Sequence, residues 1–338
     1  DWILDLDFHG GDSWAQLQRT SGTGNSNSIV LTCETNWSRS PRKLTVVAGF
    51  PGNTDSAELT QLGAEEILSP DPEYPGLESD PLRSWMELPE IRSEEGCAWV
   101  YHDMNIGGNK VVRNYSLFYD AKNMLARWVA YPLNAGLIGS GDRHDQFEAI
   151  DPKIPKEYQP YTEKGWGVGG YDRGHQLPAA DRYHTYAVDK TLDAHRATFY
   201  PTNMTVQNGS FNQGIWADLE GKVRAWSDKC DTLYVVTGCV PSESHFITDR
   251  GGNTVNVPEG YFKALLRYTK SSTLGQPYLG IAFYFANEPY SGGSKVNSSM
   301  SMTIDALEEQ LGMNFFPRLT PEQEAAAEAS VHEWWWSN

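Results

Sequence analysis

The amino-acid sequence predicts an α+β domain built on a mixed or antiparallel central sheet, with a small all-β sandwich in front of it. Three observations carry that class. Residues 1–63 hold only short β-branched runs between turn clusters, and residues 64–82 carry four prolines and six acids. Beyond residue 83, strand-like runs alternate with amphipathic helical patterns. At 338 residues the chain is long enough for about two domains. It shows no internal repeat.

In the front segment, residues 28–34, 42–48 and 56–61 read as strands. Turn clusters at 21–27, 38–41 and 50–53 separate them. Trp14, the Ser-Gly-Thr-Gly-Asn turn at 21–25, the strand at 42–49 and the closing Thr-Gln-Leu-Gly at 60–63 resemble BACON-type immunoglobulin-like domains. That resemblance implies either glycan contact or a spacer role, and Trp14 and Trp37 are the only aromatic platform in view. It also implies an exported bacterial protein: secreted, periplasmic or at the cell surface. The start at Asp1-Trp2-Ile3 reads as a mature or trimmed terminus.

Residues 64–82 cannot bury much surface and read as a semi-stiff linker, so the second domain is expected over 83–338. There, 97–104 and 114–119 read as strands, and 126–131 follows a turn at 120–123 as the return of a hairpin. Residues 132–170 form a long polar, Gly- and Pro-rich loop of the kind usually kept for function. Later strands are expected at 233–237, 261–268 and 279–285. A helix from about 303 stops at Gly312, and another starts at Thr320 as cap with Pro321 at its first position.

The net charge of −17 argues against a static, high-affinity nucleic-acid binder. The acids are unevenly spread. Residues 1–82 hold 13 acids and 4 bases, and residues 305–338 hold 7 acids and one base, whereas 143–224 holds 11 acids against 10 bases. No run approaches the roughly 18 apolar residues of a membrane span. Four cysteines make no disulfide framework. Cys33 shares strand parity with Ile29 and Leu31 and reads as a small buried hydrophobe. Cys230 and Cys239 flank an extended run that, at ~3.3 Å per residue, holds them beyond the ~7 Å reach of a disulfide.

Chemistry concentrates in three pieces. The first is Tyr171-Asp-Arg-Gly-His-Gln-Leu-Pro-Ala-Ala-Asp181. A strand-like run follows at 198–203, and a helix-like run at 210–220. Stepping about 100° per residue from Asn212, Ile215, Leu219, Val223 and Trp226 share a core stripe. Asn212, Glu220 and Arg224 border it as a polar sector. Alone, that sector reads equally well as a solvated face, and Asp172–Arg173 as a surface pair. Gly165-Trp-Gly-Val-Gly-Gly170 fits GxGxxG but follows no apolar strand and opens no helix, so it reads as a lead into the next strand. His184 and His195 are rival bases without a paired metal motif and read as structural.

Taken together, the three pieces resemble the DNA/RNA non-specific endonucleases, a branch of the ββα-metal nucleases, with supporting context over most of residues 83–338. The resemblance implies a ββα-metal fold, hydrolysis of DNA and RNA, and a divalent cation, Mg²⁺ with Mn²⁺ as substitute. It implies His175 as general base, Asn212 as direct metal ligand and Glu220 as the acid reaching the metal through water. Arg173 and Arg224 fall on motif arginines, Asn203 on an asparagine lining the site, and Arg143 on a phosphate-contacting arginine in the long loop. The chemistry suits these residue types. A neutral imidazole accepts a water proton near neutral pH, a neutral amide leaves the full charge of Mg²⁺ for the phosphate, and guanidinium groups meet phosphate oxygens in a fork. The competing expectation is a glycan-binding or surface-adhesion protein carrying an inactive nuclease fold.

Overall fold

The computed structural model describes all residues except 12, 25–28, 34–40, 51, 62–84, 93, 106–110, 140–142, 144, 184–192 and 338. The expected linker at 64–82, Trp37 and His184 lie outside the described residues. The chain divides into two compact units, one N-terminal and one holding nearly all the rest.

The N-terminal unit is all β. Its strands are β1 (Trp2–Asp7), β2 (Ala15–Leu17), β3 (Ser21–Gly22), β4 (Leu31–Cys33), β5 (Arg42–Phe50) and β6 (Asn53–Gln61). Four of them make an antiparallel sheet in the order β3-β1-β5-β6, and β2 pairs antiparallel with β4. The period-2 alternation of Trp-Ile-Leu-Asp-Leu-Asp in β1 turns alternate side chains outward. Leu6, Phe8, Leu31, Cys33, Val46 and Leu59 pack around buried Trp14, Ala15 and Leu44. Cys33 is therefore a core neighbour, half-buried rather than enclosed.

The second unit is organised on a seven-stranded sheet. Its strands are β7 (Cys97–Asn105), β8 (Val111–Asp120), β9 (Leu125–Leu133), β10 (Tyr171–His175), β11 (Met204–Asn208) and β12 (Thr232–Val240). They continue with β13 (Phe246–Thr248), β14 (Thr254–Asn256), β15 (Gly260–Tyr268), β16 (Tyr278–Ala286) and β17 (Ser301–Met302). The large sheet runs β17-β16-β15-β12-β9-β8-β7, antiparallel throughout. β10 and β11 form a separate hairpin, as do β13 and β14. The helices are α1 (Asp193–Ala197), α2 (Ala217–Ser227), α3 (Ile304–Leu311), α4 (Pro321–Glu328) and α5 (Trp334–Ser337).

The central strands are apolar on both faces because both faces are covered. One face puts Trp128, Ala130, Val236, Phe262, Ala264, Leu266 and Ala282 against Ile304 and Leu307 of α3, Ala327 of α4, and Phe315 and Phe316 between those helices. A fully buried Leu or Phe contributes about 1.5–3 kcal/mol, so this layer anchors the C-terminal helices. Those helices end cleanly. Thr303 Oγ1 accepts the Ala306 N–H, and Gly312 closes α3 at φ +64°, a left-handed cap that glycine adopts without strain. Thr320 and Gln323 form a capping box with Pro321 at the first position of α4. The opposite parity, with Tyr131, Thr237, Tyr261 and Lys263, faces the β10–β11 hairpin and α2.

Two expected elements differ. Residues 198–203 are not a strand. The N–H groups of Thr198, Phe199 and Tyr200 bond back to His195, Arg196 and Ala197, continuing α1 as tight turns. Pro201, which has no N–H for a ladder, then opens a 3-10 turn over Pro201–Asn203. The strand starts one residue later, at Met204. The helix expected over 210–220 is interrupted at Gly214 (φ −102°, ψ −111°) by a π-turn over Asn212–Trp216.

Candidate active site

The site grows from a strand–strand–helix unit. β10 pairs with β11 so that His175 opposes Met204 and Gly174 opposes Thr205. A side chain at position 174 would collide with Gln207, whose Oε1 lies 2.1 Å from an ideal Cβ, so only glycine lets the two strands close. At the end of β11, Asn208 Oδ1 accepts the Ser210 and Phe211 N–H groups at 3.1 and 3.3 Å. That cap turns the strand directly into the helix. From Ile215 onward the expected stripe holds, with Ile215, Leu219, Val223 and Trp226 all buried. The π-turn detaches Asn212 from that register, a local insertion of the kind found at functional positions.

Asn212 is set by Asp172. Its Nδ2 donates to Asp172 Oδ2 at 3.0 Å, and Gln213 Nε2 donates to the same oxygen at 2.7 Å. A carboxylate only accepts, so the amide N–H₂ must face Asp172 and the carbonyl Oδ1 faces away. The DRGH acid thus orients the amide.

His175 is half-buried against Phe199, ring centroids 5.1 Å apart edge to face, and against Phe147 at 6.4 Å. Its Nε2 is buried without a hydrogen-bond partner. Burial first, then the positive charge of Arg143 and the neighbouring His195 and Arg173, push its pKa down to about 3. The imidazole is neutral at physiological pH, the form that accepts a proton. Arg173 lies 3.5 Å over the Phe147 ring and donates to the Thr162 and Glu163 carbonyls at 2.8 and 3.1 Å. It straps the long loop to the strand that carries the histidine.

Behind them sits a buried charge cluster. Asp181 accepts from Arg224 at 3.0 Å and from the Tyr131 hydroxyl at 3.1 Å. Burial pushes Glu220 up to about 7, with Asp181 adding to the rise and Lys263, Arg224 and Arg143 opposing it. Burial lowers Lys263 to about 8, while Glu220 and Asp181 hold its charge. Lys263 is fully buried, donates to Thr237 Oγ1 at 2.6 Å and lies 4.6 Å from the Trp216 ring. Burial works against the charge of Arg224, but Asp181 and Glu220 outweigh it and raise its pKa.

The structure brings His175, Arg173, Arg143, Glu220 and Arg224 into one electrostatic neighbourhood, with Arg143 acting on both His175 and Glu220. Arg143 also lies 4.9 Å over the face of Phe199. Asn203 departs from its expected place lining the site. It is fully buried, with Oδ1 accepting the Leu177 N–H and Nδ2 donating to the Leu177 and Thr198 carbonyls. Its amide is used up bracing the turn below His175. His195 is buried, with its Nδ1 3.1 Å from the Ala179 carbonyl and its ring stacked on Tyr183. Asp181, Tyr131 and Lys263 belong to the cluster without having been singled out. A lysine in the middle of the apolar strand Gly260–Tyr268 was the available signal.

The Asn212 Oδ1 and the Glu220 carboxylate are both oxygen donors, the ligand type that a hard divalent cation takes. A family model described as DNA/RNA non-specific endonuclease matches residues 99–322, more than half of the chain. The chain belongs to this endonuclease family. A nuclease from Nostoc sp. is 29% identical over 229 residues, covering 65% of this chain and 77% of its own length. A nuclease from Syncephalastrum racemosum is 31% identical, covering 61% and 66%. The mitochondrial nuclease of Saccharomyces cerevisiae is 30% identical, covering 55% of this chain and 58% of its own length. A solved EndoG/EndoGI complex aligns with a TM-score of 0.47 and 23% identity, over 66% of this chain and 89% of that one. The expected α+β endonuclease class, with its antiparallel sheet and strand–strand–helix unit, holds.

Proposed function

We propose that this endonuclease-family chain cleaves phosphodiester bonds of both DNA and RNA, with Mg²⁺ held by Asn212 and with His175 as general base. The observation that carries the reading is the pairing of a neutral histidine on β10 with an amide whose carbonyl is turned outward by the acid of the same strand. His175 takes a proton from the attacking water. The bound cation supplies Lewis-acid stabilisation of the phosphate and of the leaving oxygen. Glu220 orients water beside Asn212, and Arg143 and Arg224 offer planar donors to the negative phosphate. Arg173 holds the loop that carries Arg143. Contacts to phosphate rather than to base or 2′-hydroxyl favour indifference to the sugar. Mn²⁺ is the natural substitute ion. The front unit, read as a BACON-like spacer with optional glycan contact, and an exported bacterial location complete the proposal.

The test is cleavage of plasmid DNA and of RNA with Mg²⁺, abolished by EDTA. His175→Ala is expected to lose roughly 10²–10⁴-fold in rate with unchanged circular dichroism. Full activity in that variant refutes His175 as base. A silent nuclease assay alongside a positive glycan screen favours the adhesion reading instead.

A further inference from the structure

α3 and α4 cover the face of the large sheet opposite the catalytic cluster, and between them lies a second group of carboxylates. Asp305 and Glu308 stand one turn apart on α3, and Glu328 ends α4. One carboxylate oxygen from each lies within 4.8 Å of the others. Asp305 is exposed, Glu308 half-buried and Glu328 only 1% exposed. Clustering alone is no site, but Glu328 adds a separate observation. Its Oε1 is buried and has no hydrogen-bond partner. Burial pushes its pKa up to about 9 in the absence of a cation, and the negative charges of Glu308, Glu324 and Asp305 push the same way. An unpaired acid in such a place is costly unless a cation or a proton compensates it. The place also lies at the C-terminal end of α4, where the helix dipole favours positive charge.

We propose that Asp305, Glu308 and Glu328 bind a calcium-sized divalent cation that ties α3 to α4, separate from the catalytic metal. The ligand set selects the ion. Ca²⁺ takes about six to eight oxygen ligands, several of them carboxylates, in a flexible shell, whereas Mg²⁺ is usually held by one or two carboxylates and keeps several waters. Three carboxylates converging from two helices fit the former. Glu308 already accepts the Phe315 N–H at 2.6 Å through Oε1, which fixes its carboxylate and leaves Oε2 for the ion. Exposed Asp305 gives the ion a way in, and water completes the coordination shell.

The test uses the full chain, calcium chloride alone, calorimetric titration and thermal unfolding. It compares wild type, Asn212→Ala, Asp305→Asn and Glu328→Gln. One calcium per chain is expected in wild type and in Asn212→Ala, with a rise in Tm that magnesium at the same concentration does not give in Asn212→Ala. Asp305→Asn, a surface change that spares the fold, and Glu328→Gln are each expected to weaken binding by roughly tenfold or more. Absence of calcium binding overturns the proposal. So does binding that survives both carboxylate substitutions, or that vanishes only with Asn212→Ala. A Glu328→Gln chain that melts higher than wild type, with no calcium response in wild type, also overturns it: a protonated carboxyl then fills the place.

Discussion

Replacing Gly174 with alanine puts a methyl group where Gln207 already lies. The added Cβ would stand 2.1 Å from Gln207 Oε1, 2.2 Å from its Cδ and 2.4 Å from its Cγ, where ordinary contact begins at 3.4 Å. More than an ångström must be found. Gln207 is fully buried and cannot swing into water, so the strand that carries Arg173 and His175 has to yield. Overpacking of this kind costs about 1–3 kcal/mol, a fall of roughly 2–4 °C in Tm per kcal/mol for a unit of this size. Moving His175 by about an ångström costs on the order of 10²-fold in rate. Gln207→Ala should restore both, because neither polar atom of the Gln207 amide has a hydrogen-bond partner, so its removal forfeits none. Urea denaturation and plasmid cleavage on the four proteins of this double-mutant cycle give the coupling directly. A Gly174→Ala chain as stable as wild type, or a double variant whose losses simply add, refutes the argument.

Asp172→Ala is expected to leave the fold intact, since the hairpin ladder is backbone, while raising the Mg²⁺ concentration needed for half-maximal activity by roughly 10–100-fold. An unchanged metal requirement excludes Asp172 as the residue that orients Asn212. The His175 ring, followed by NMR in metal-free protein, should stay neutral as pH falls from 8 towards 4. Its folded pKa of about 3 lies below the ordinary 6.5, so the cost of burying a neutral ring grows only as acid charges the unfolded histidine. Native stability is therefore eroded below about pH 6.5 by this group. A titration midpoint between 6 and 7 contradicts that environment.

The β-strands of the large sheet were legible because their β-branched and aromatic runs are long and bounded by turns, and the stop at Gly312 and the cap at Thr320 with Pro321 fixed α3 and α4. The strand–strand–helix order was legible too, but its second strand was misplaced. Thr198, Phe199 and Tyr200 look extended by composition, and only backbone bonds to α1 hold them as turns. The π-turn at Gly214 was invisible to a uniform helical step, so Asn212 could not be oriented from spacing alone. Arg143 could not be joined to His175 from spacing because 27 residues separate it from β10, and packing on Phe199 brings it in. Lys263 was hidden for the opposite reason: its strand is buried on both faces, and a single cation in an apolar run carries no label of which face it serves.

The β10–β11 hairpin shares no ladder with the large sheet. It is moored by a few side chains instead. Tyr261 and Asn287 donate to the Val206 carbonyl, Asn287 Oδ1 accepts the Asn208 N–H, and Gln176 donates to the Ala126 carbonyl. Opening it breaks those moorings and leaves every bond of the seven-stranded ladder in place. The strand bearing Asp172, Arg173 and His175 is thus held in place through buried side chains, Met204, Val206 and Gln207 among them, and through these hydrogen bonds rather than through a shared ladder. Substitutions in those side chains therefore shift how the catalytic strand sits while leaving the ladder of the sheet untouched.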